Sequence, residues 1–121
     1  MPAAGTTTAP DPQAQAEECQ CCPRLHEAVE LVGKRWTGAI VYVLLQGGRL
    51  RFTQVAQAVP DLSDRLLSER MKELERRGIV KRQVSDGTPV RVSYELTEKG
   101  RELAPALGEL KTWADRWLSA P

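Results

Sequence analysis

Between Phe52 and Leu96 the spacing of apolar residues changes period, and that change restricts the fold more than any other feature of the chain. RFTQVAQAVPDLSDRLLSERMKELERRG places apolar residues three and four apart, which puts them on one face of a helix. IVKRQV and VRVSYEL then alternate apolar and polar residues and are rich in β-branched side chains, while SDGTP between them supplies turn chemistry. The helical part divides at Pro60. A short first helix has Thr53 as its cap and Phe52, Val55, Ala56 and Val59 facing inward. A second helix spans 63–77, turns Leu67, Met71 and Leu74 inward with Leu66 at the edge, and ends at Gly78. Arg65, Ser68, Glu69, Lys72 and Arg76 then share the opposite, exposed face. Asp86–Gly87 is a good pair for a tight hairpin turn, so residues 79–96 are expected to form a two-stranded hairpin directly after the exposed helix.

The flanking segments fit around this unit. RLHEAVELVG carries Leu25, Ala28, Val29 and Val32 at helical spacing, with Pro23 suited to the first helical position and Gly33 to the end. The apolar run Ala39 to Leu45 is compatible with a buried strand or a buried helix. We read it as a helix, capped by Thr37 and stopped by Gly47 and Gly48, although Ile40, Val41 and Val43 lean the other way. A last helix over 97–118 has Glu98 in its first turn and a stripe of Leu103, Leu107, Leu110, Ala114 and Trp117. That stripe is more apolar surface than so small a core needs, which points to a second copy of the chain.

The order helix, helix, short helix, turn, exposed helix, hairpin, helix predicts a mainly α fold with a small β hairpin, a winged helix-turn-helix. Residues 1–18 are expected to be a disordered tail, and 19–121 the domain, with the helix-turn-helix at 53–77, the wing at 79–96 and a dimerisation helix at 97–118. The 121 residues have room for one such core and hold no run of about 20 apolar residues that a membrane span needs. The N-terminus lacks the pattern of a secretory signal, so the expected location is the cytoplasm.

The net charge of +1 conceals an uneven distribution. Residues 34–91 contain 12 Lys and Arg against 6 Asp and Glu, and the remainder 5 against 10. A basic middle between acidic flanks is an electrostatic footprint for nucleic acid. In a helix-turn-helix the second helix enters the major groove, where base edges are displayed. Ser63, Asp64, Arg65, Ser68 and Glu69 are the candidates for base edges, with Arg65 suited to guanine. The two acids can accept from cytosine amino groups or exclude wrong sequences. Thr53, Lys72 and Arg76, with Lys81, Arg82, Thr88 and Arg91 of the hairpin, suit phosphates, which fix register without reading sequence. With a single histidine, no Gly-rich phosphate loop and no nucleophile elbow, the chain reads as a non-enzyme.

On these residues the chain resembles the HxlR-type, MarR-like bacterial transcription regulators. The resemblance covers about residues 22–113. It rests on Cys22–Pro23, on LVGKRWTGAIVYVLLQG with its Gly33–Lys34 and Trp36–Thr37 pairs, on RFTQVAQAVPDLSDRLLSERMKELERRGIVKR, and on VRVSYELTEKG. It implies a homodimer on a palindromic double-stranded operator, with the first and last helices at the interface (Leu25, Val29, Leu103, Leu107, Leu110, Trp113 and Trp117). It implies recognition through 63–77 and backbone contacts from the wing around 86–91. The short DGTP wing tip departs from relatives with a more proline-rich connection.

Some members of that family sense quinones, aldehydes or hypochlorite through the cysteine matching Cys22. Just before Pro23, Cys22 is expected at the cap of the first helix, where backbone N–H groups and the helix dipole stabilise a thiolate. Cys19, or a cysteine of the partner chain, is a better resolving thiol than the adjacent Cys21, whose disulfide with Cys22 would be strained. Three alternatives stand beside this. Cys19, Cys21, Cys22 and His26 offer soft ligands for zinc or copper, though the spacing is poor. Trp36, Tyr42, Trp113 and Trp117 could line a cleft for a non-covalent planar ligand. A winged helix can also serve as a protein-interaction adaptor without specific DNA binding.

Overall fold

The computed structural model describes residues 22–118. The chain falls into two units that divide between Leu31 and Val32. The expected disordered tail, and Cys19 and Cys21 with it, lies outside the described residues.

Helix α1 spans Pro23–Gly33 and buries none of its own residues. Cys22 precedes its first residue, and the Cys22 carbonyl accepts the first helical hydrogen bond, from the His26 N–H at 2.9 Å. Leu25 and Val29, one turn apart, are both exposed.

The second unit is built on α2 (Thr37–Gly47), β1 (Arg49–Arg51), α3 (Phe52–Ala58), α4 (Asp64–Arg76), β2 (Val80–Val84), β3 (Val92–Leu96), α5 (Glu98–Arg101) and α6 (Ala104–Trp117). The ambiguous apolar run is helical, and it inserts Ile40, Val41 and Leu44 into the core. Its start differs from expectation. Trp36, not Thr37, is the N-cap, held left-handed at φ 75°. Thr37 is the first helical residue and is buried, its Oγ1 meeting no hydrogen-bond partner among the described residues. The start is held instead by backbone bonds from Thr37 N–H to the Lys34 carbonyl and from Ile40 N–H to the Trp36 carbonyl, both 3.0 Å.

Val55 and Val59 of α3, Leu62 of the turn, Leu67, Met71 and Leu74 of α4, Ile79, Val80, Leu96 and Leu107 complete the core. Burying a side chain of this size stabilises the fold by about 1.5–3 kcal/mol. The cap of α3 is Arg51 rather than Thr53, which sits in the first turn, and the Gln54 side chain accepts from Arg51 N–H at 2.8 Å.

The sheet has three antiparallel strands in the order β1-β3-β2. The hairpin is as expected, but β1 was not foreseen. It pairs Arg49 with Glu95 and Arg51 with Ser93. The connection between β2 and β3 is also wider than a two-residue Asp86–Gly87 turn. It is closed by Ser85 and Arg91, with Ser85 N–H donating to the Arg91 carbonyl at 2.8 Å and Arg91 N–H to Ser85 Oγ at 2.9 Å. Pro89, which has no N–H to give to a ladder, lies within that loop.

The last helix is divided. A break at Glu102–Leu103 separates α5 from α6, and Pro105 stands in the first turn of α6. A prolyl nitrogen cannot donate to the carbonyl four residues back, which is why the helix cannot run straight through. The α5 end is bound tightly to the end of α4. Thr97 Oγ1 donates to the Gly78 carbonyl at 2.5 Å, Thr97 N–H to the Ile79 carbonyl at 2.9 Å, and Lys99 Nζ to the Arg77 carbonyl at 2.6 Å. Two glycines permit this. Gly78 takes a φ of 74° to terminate α4, and a Cβ on Gly100 would run into the Ile79 carbonyl. No helix of the described residues is long and apolar enough to cross a membrane.

Candidate nucleic-acid interface

Helix α4 positions the candidate base-reading residues. Ser63 is its N-cap, with Oγ accepting from Leu66 N–H at 3.2 Å, and Asp64 lies in the first turn where its charge favours the helix dipole. Because Leu67, Met71 and Leu74 commit one face to the core, Arg65, Glu69, Lys72 and Arg76 emerge together on the other, with Ser68 half-buried beside them. Arg65 is 91% exposed and lies 3.7 Å from Glu69 one turn on, so the acid orients the arginine as well as offering its own acceptor. The opposite flank is anchored by Lys34 Nζ, which donates to Glu73 at 3.0 Å, and by Arg70 Nε, which donates to the Arg35 carbonyl at 3.0 Å. The Lys34 hydrogen bond holds the Glu73 carboxyl below its ordinary pKa. Partial desolvation opposes that effect, and the charges of Lys34, Arg70 and Arg76 add to it.

The expected phosphate contacts do not form one group. Arg82 joins Ser68, Lys72, Glu75 and Tyr94 around a cleft of about 340 Å³ between α4 and the wing. Lys81, its neighbour in sequence, engages Glu95 at 3.4 Å on the other face of the sheet. Alternation along a strand requires that separation. Arg91 lies elsewhere again, beside Arg49 and Arg51. Thr53 and Thr88 are both exposed, on α3 and at the wing tip.

Glu95 is the hub of the far face. Its Oε1 accepts from Gln83 at 3.0 Å and from Arg49 at 3.2 Å, and it pairs with Lys81. Desolvation pushes its carboxyl up, but hydrogen bonds from Arg49 and Lys81 and their charges outweigh this and hold it below the ordinary range. Arg49, Arg51, Tyr94 and Glu95 escaped the sequence reading. Period-two alternation was enough to separate Lys81 from Arg82, but nothing local brings Arg49 to Glu95, 46 residues on.

The expected dimer stripe changes in one member. Leu107 is buried within the protomer, while Leu110, Trp113 and Trp117 are exposed and Leu103 is half-buried. Of the aromatic residues considered for a planar ligand, Trp36 and Tyr42 are half-buried in the second unit. Cys22 is half-buried at the head of α1. His26 lies 3.4 Å from Glu30, and among the described residues no three His, Cys, Asp or Glu side chains gather as a metal site.

Residues 31–121 match the family model described as HxlR-like helix-turn-helix. The chain belongs to the HxlR-like helix-turn-helix family. As an HxlR-like protein it is a DNA-binding transcription regulator, in agreement with the exposed α4 and the wing. It is 50% identical over 101 residues to the HTH-type transcriptional regulator YvaP of Bacillus subtilis, covering 84% of this chain and 93% of that one. It is 46% identical over 96 residues to YodB of the same organism, covering 79% and 85%. The reduced form of YodB superposes with a TM-score of 0.74 at 44% identity over 83% of this chain and 97% of that one. YodB is also known in diamide-treated and quinone-bound forms. The redox regulator HypR in its oxidized form gives a TM-score of 0.75 at 32% identity, covering 82% of this HxlR-like chain and all of HypR.

Proposed function

We propose that this regulator is a homodimeric repressor that is released from its operator when Cys22 reacts with an oxidant or a quinone-like electrophile. The observation that carries the reading is the position of Cys22, half-buried at the residue that opens α1, a helix whose apolar face lacks cover in the single chain. Two protomers joined through such faces, with Leu25 and Val29 on α1 and Leu110, Trp113 and Trp117 on α6, present two copies of α4 to the two halves of a palindrome. Chemistry at Cys22 then acts on the seam that sets the distance between them.

Addition to a quinone forms a bond between Cys22 Sγ and a ring carbon, and the thiol proton passes to the quinone oxygen. Disulfide formation with Cys19 or a thiol of the partner needs a two-electron oxidant such as diamide, which takes up the two thiol protons and two electrons. The similarity to YodB and HypR, studied in reduced and in reacted or oxidized states, supports both routes. On α4, Arg65 and Ser68 read base edges, with Ser63, Asp64 and Glu69 beside them, and Lys72, Arg76 and Arg82 hold phosphates.

The test is a gel-shift titration on DNA upstream of the protein's own gene, with reduced protein, with protein treated with diamide or benzoquinone, and with Cys22→Ser in both conditions. Reduced protein binds and treated protein is released, while Cys22→Ser binds in either condition. Release of Cys22→Ser by the same reagents removes Cys22 from the switch.

A further inference from the structure

A second basic site lies on the face of the sheet turned away from α4. Arg49 and Arg51 of β1 and Arg91 at the base of the wing tip line a groove of about 240 Å³, with Gln83, Ser85 and Ser93 among its walls. None of the described residues lining it is acidic. Three arginines brought together from two distant parts of the sequence repel one another, and the fold holds each in place. Arg49 is drawn to Glu95 at 3.2 Å. Arg51 is fixed by the register of β1 on β3, opposite Ser93, and by its backbone bond to Gln54. Arg91 is fixed by its pair of bonds with Ser85. Strand β1 ends opposite Ser93, so the β3 edge from Val92 to Arg91 lies open beside Arg51.

A guanidinium fork matches the oxygens of a phosphate in two parallel hydrogen bonds, and serine and glutamine side chains donate the weaker bonds that complete such a site. We infer that this groove binds phosphates of the operator backbone on the flank of the base pairs read by α4. The inference rests on the DNA-binding role of the family, and it adds a contact that α4 does not make. DNA backbone is the occupant because the groove opens between the start of the helix-turn-helix, where Arg51 caps α3, and the base of the wing tip. Those are the two parts of the fold that straddle a phosphate strand when the helix between them enters the major groove. The site extends the wing contact from the tip to its base, and it fixes register without reading sequence.

The experiment measures affinity against salt concentration for the full-length protein, Arg51→Ala, Arg91→Ala and the double variant, on the operator and on an unrelated duplex. Both side chains are exposed, and unchanged melting curves verify that the variants fold. Each neutralised phosphate contributes about 0.9 to the slope of log affinity against log salt, so each single variant lowers the slope by about 2 per dimer and the double variant by about twice that. The ratio of operator to unrelated affinity stays constant in these variants but falls in Arg65→Ala. Lys111→Ala, which removes an exposed charge from α6, leaves the slope unchanged. Folded groove variants with the wild-type slope overturn the assignment. So does an unchanged slope accompanied by stabilisation of the wild type alone by inorganic phosphate, which would make the groove a small-anion site. Regulation itself is judged separately, by the wild-type preference for the operator over unrelated DNA.

Discussion

Helices α4 and α6 are almost equal in length, 13 and 14 residues, yet only one is complete in a single chain. Helix α4 buries Leu67, Met71 and Leu74 and gives its other face to charge. Helix α6 buries Leu107 alone and leaves Leu110, Trp113 and Trp117 in the open, each more than half exposed. The two carry similar apolar content to different ends. The stripe of α4 is spent within the protomer, so its polar face is available to a charged partner. The stripe of α6 is a surface of association, and apolar patches of that kind are seldom left uncovered in a protein at work.

The sharpest way to break the comparison is to truncate each stripe. Leu67→Ala should cost about 2–5 kcal/mol of folding stability, the range for a buried leucine in a rigid site, and should lower the melting temperature at every protein concentration. Trp113→Ala should leave the protomer's secondary structure intact and weaken self-association by about 2 kcal/mol or more, as expected of an interface anchor, and sedimentation equilibrium would register a dissociation constant raised at least about thirtyfold. If Trp113→Ala instead unfolds the chain without changing its association, α6 belongs to the core and the contrast fails. Ser63→Ala removes the cap of α4 and should cost about 1 kcal/mol in chemical denaturation. The N-terminus of α6 is capped by no side chain, so no equivalent loss is expected from substitutions at Leu103 beyond its packing.

The smallest effect concerns pH. Glu73 has a carboxyl pKa depressed below the ordinary 4.5 by the Lys34 hydrogen bond. Its contribution is therefore fully present above that value and is lost as pH falls through the depressed one. Acid titration of Glu73→Gln should show a shallower decline in stability below pH 4.5 than the wild type, with the curves parallel at neutral pH.

Much of α4 was legible because its information is local: the stripe of Leu67, Met71 and Leu74, the serine before it and the glycine after it lie within one stretch of sequence. The hairpin was legible for the same reason. What escaped depends on distant partners. Strand β1 is three residues long and exists only because β3 offers it an edge, and the Arg49–Glu95 pair follows from that register. The Trp36 cap is another case. Thr37 is the better capping residue in isolation, but its burial under the core leaves the left-handed turn to the tryptophan. The division of the last helix was within reach of the sequence, since Pro105 marks it, but the regular stripe around it outweighed the proline. For the candidate site, alternation was enough to split Lys81 from Arg82, whereas the groove of Arg49, Arg51 and Arg91 required the sheet.

The bonds from Thr97 and Lys99 to the last carbonyls of α4 make the recognition helix and the start of the C-terminal helices one mechanical piece. Helix α4 has 13 residues and so is about 20 Å long. A tilt of about 10° about that joint carries its far end through roughly 3.4 Å, the rise of one base pair along a DNA strand. The joint is thus a gear between two scales. A rearrangement of a few degrees where protomers meet is converted into a whole-number error in counting bases, and a palindrome tolerates no fraction of a step.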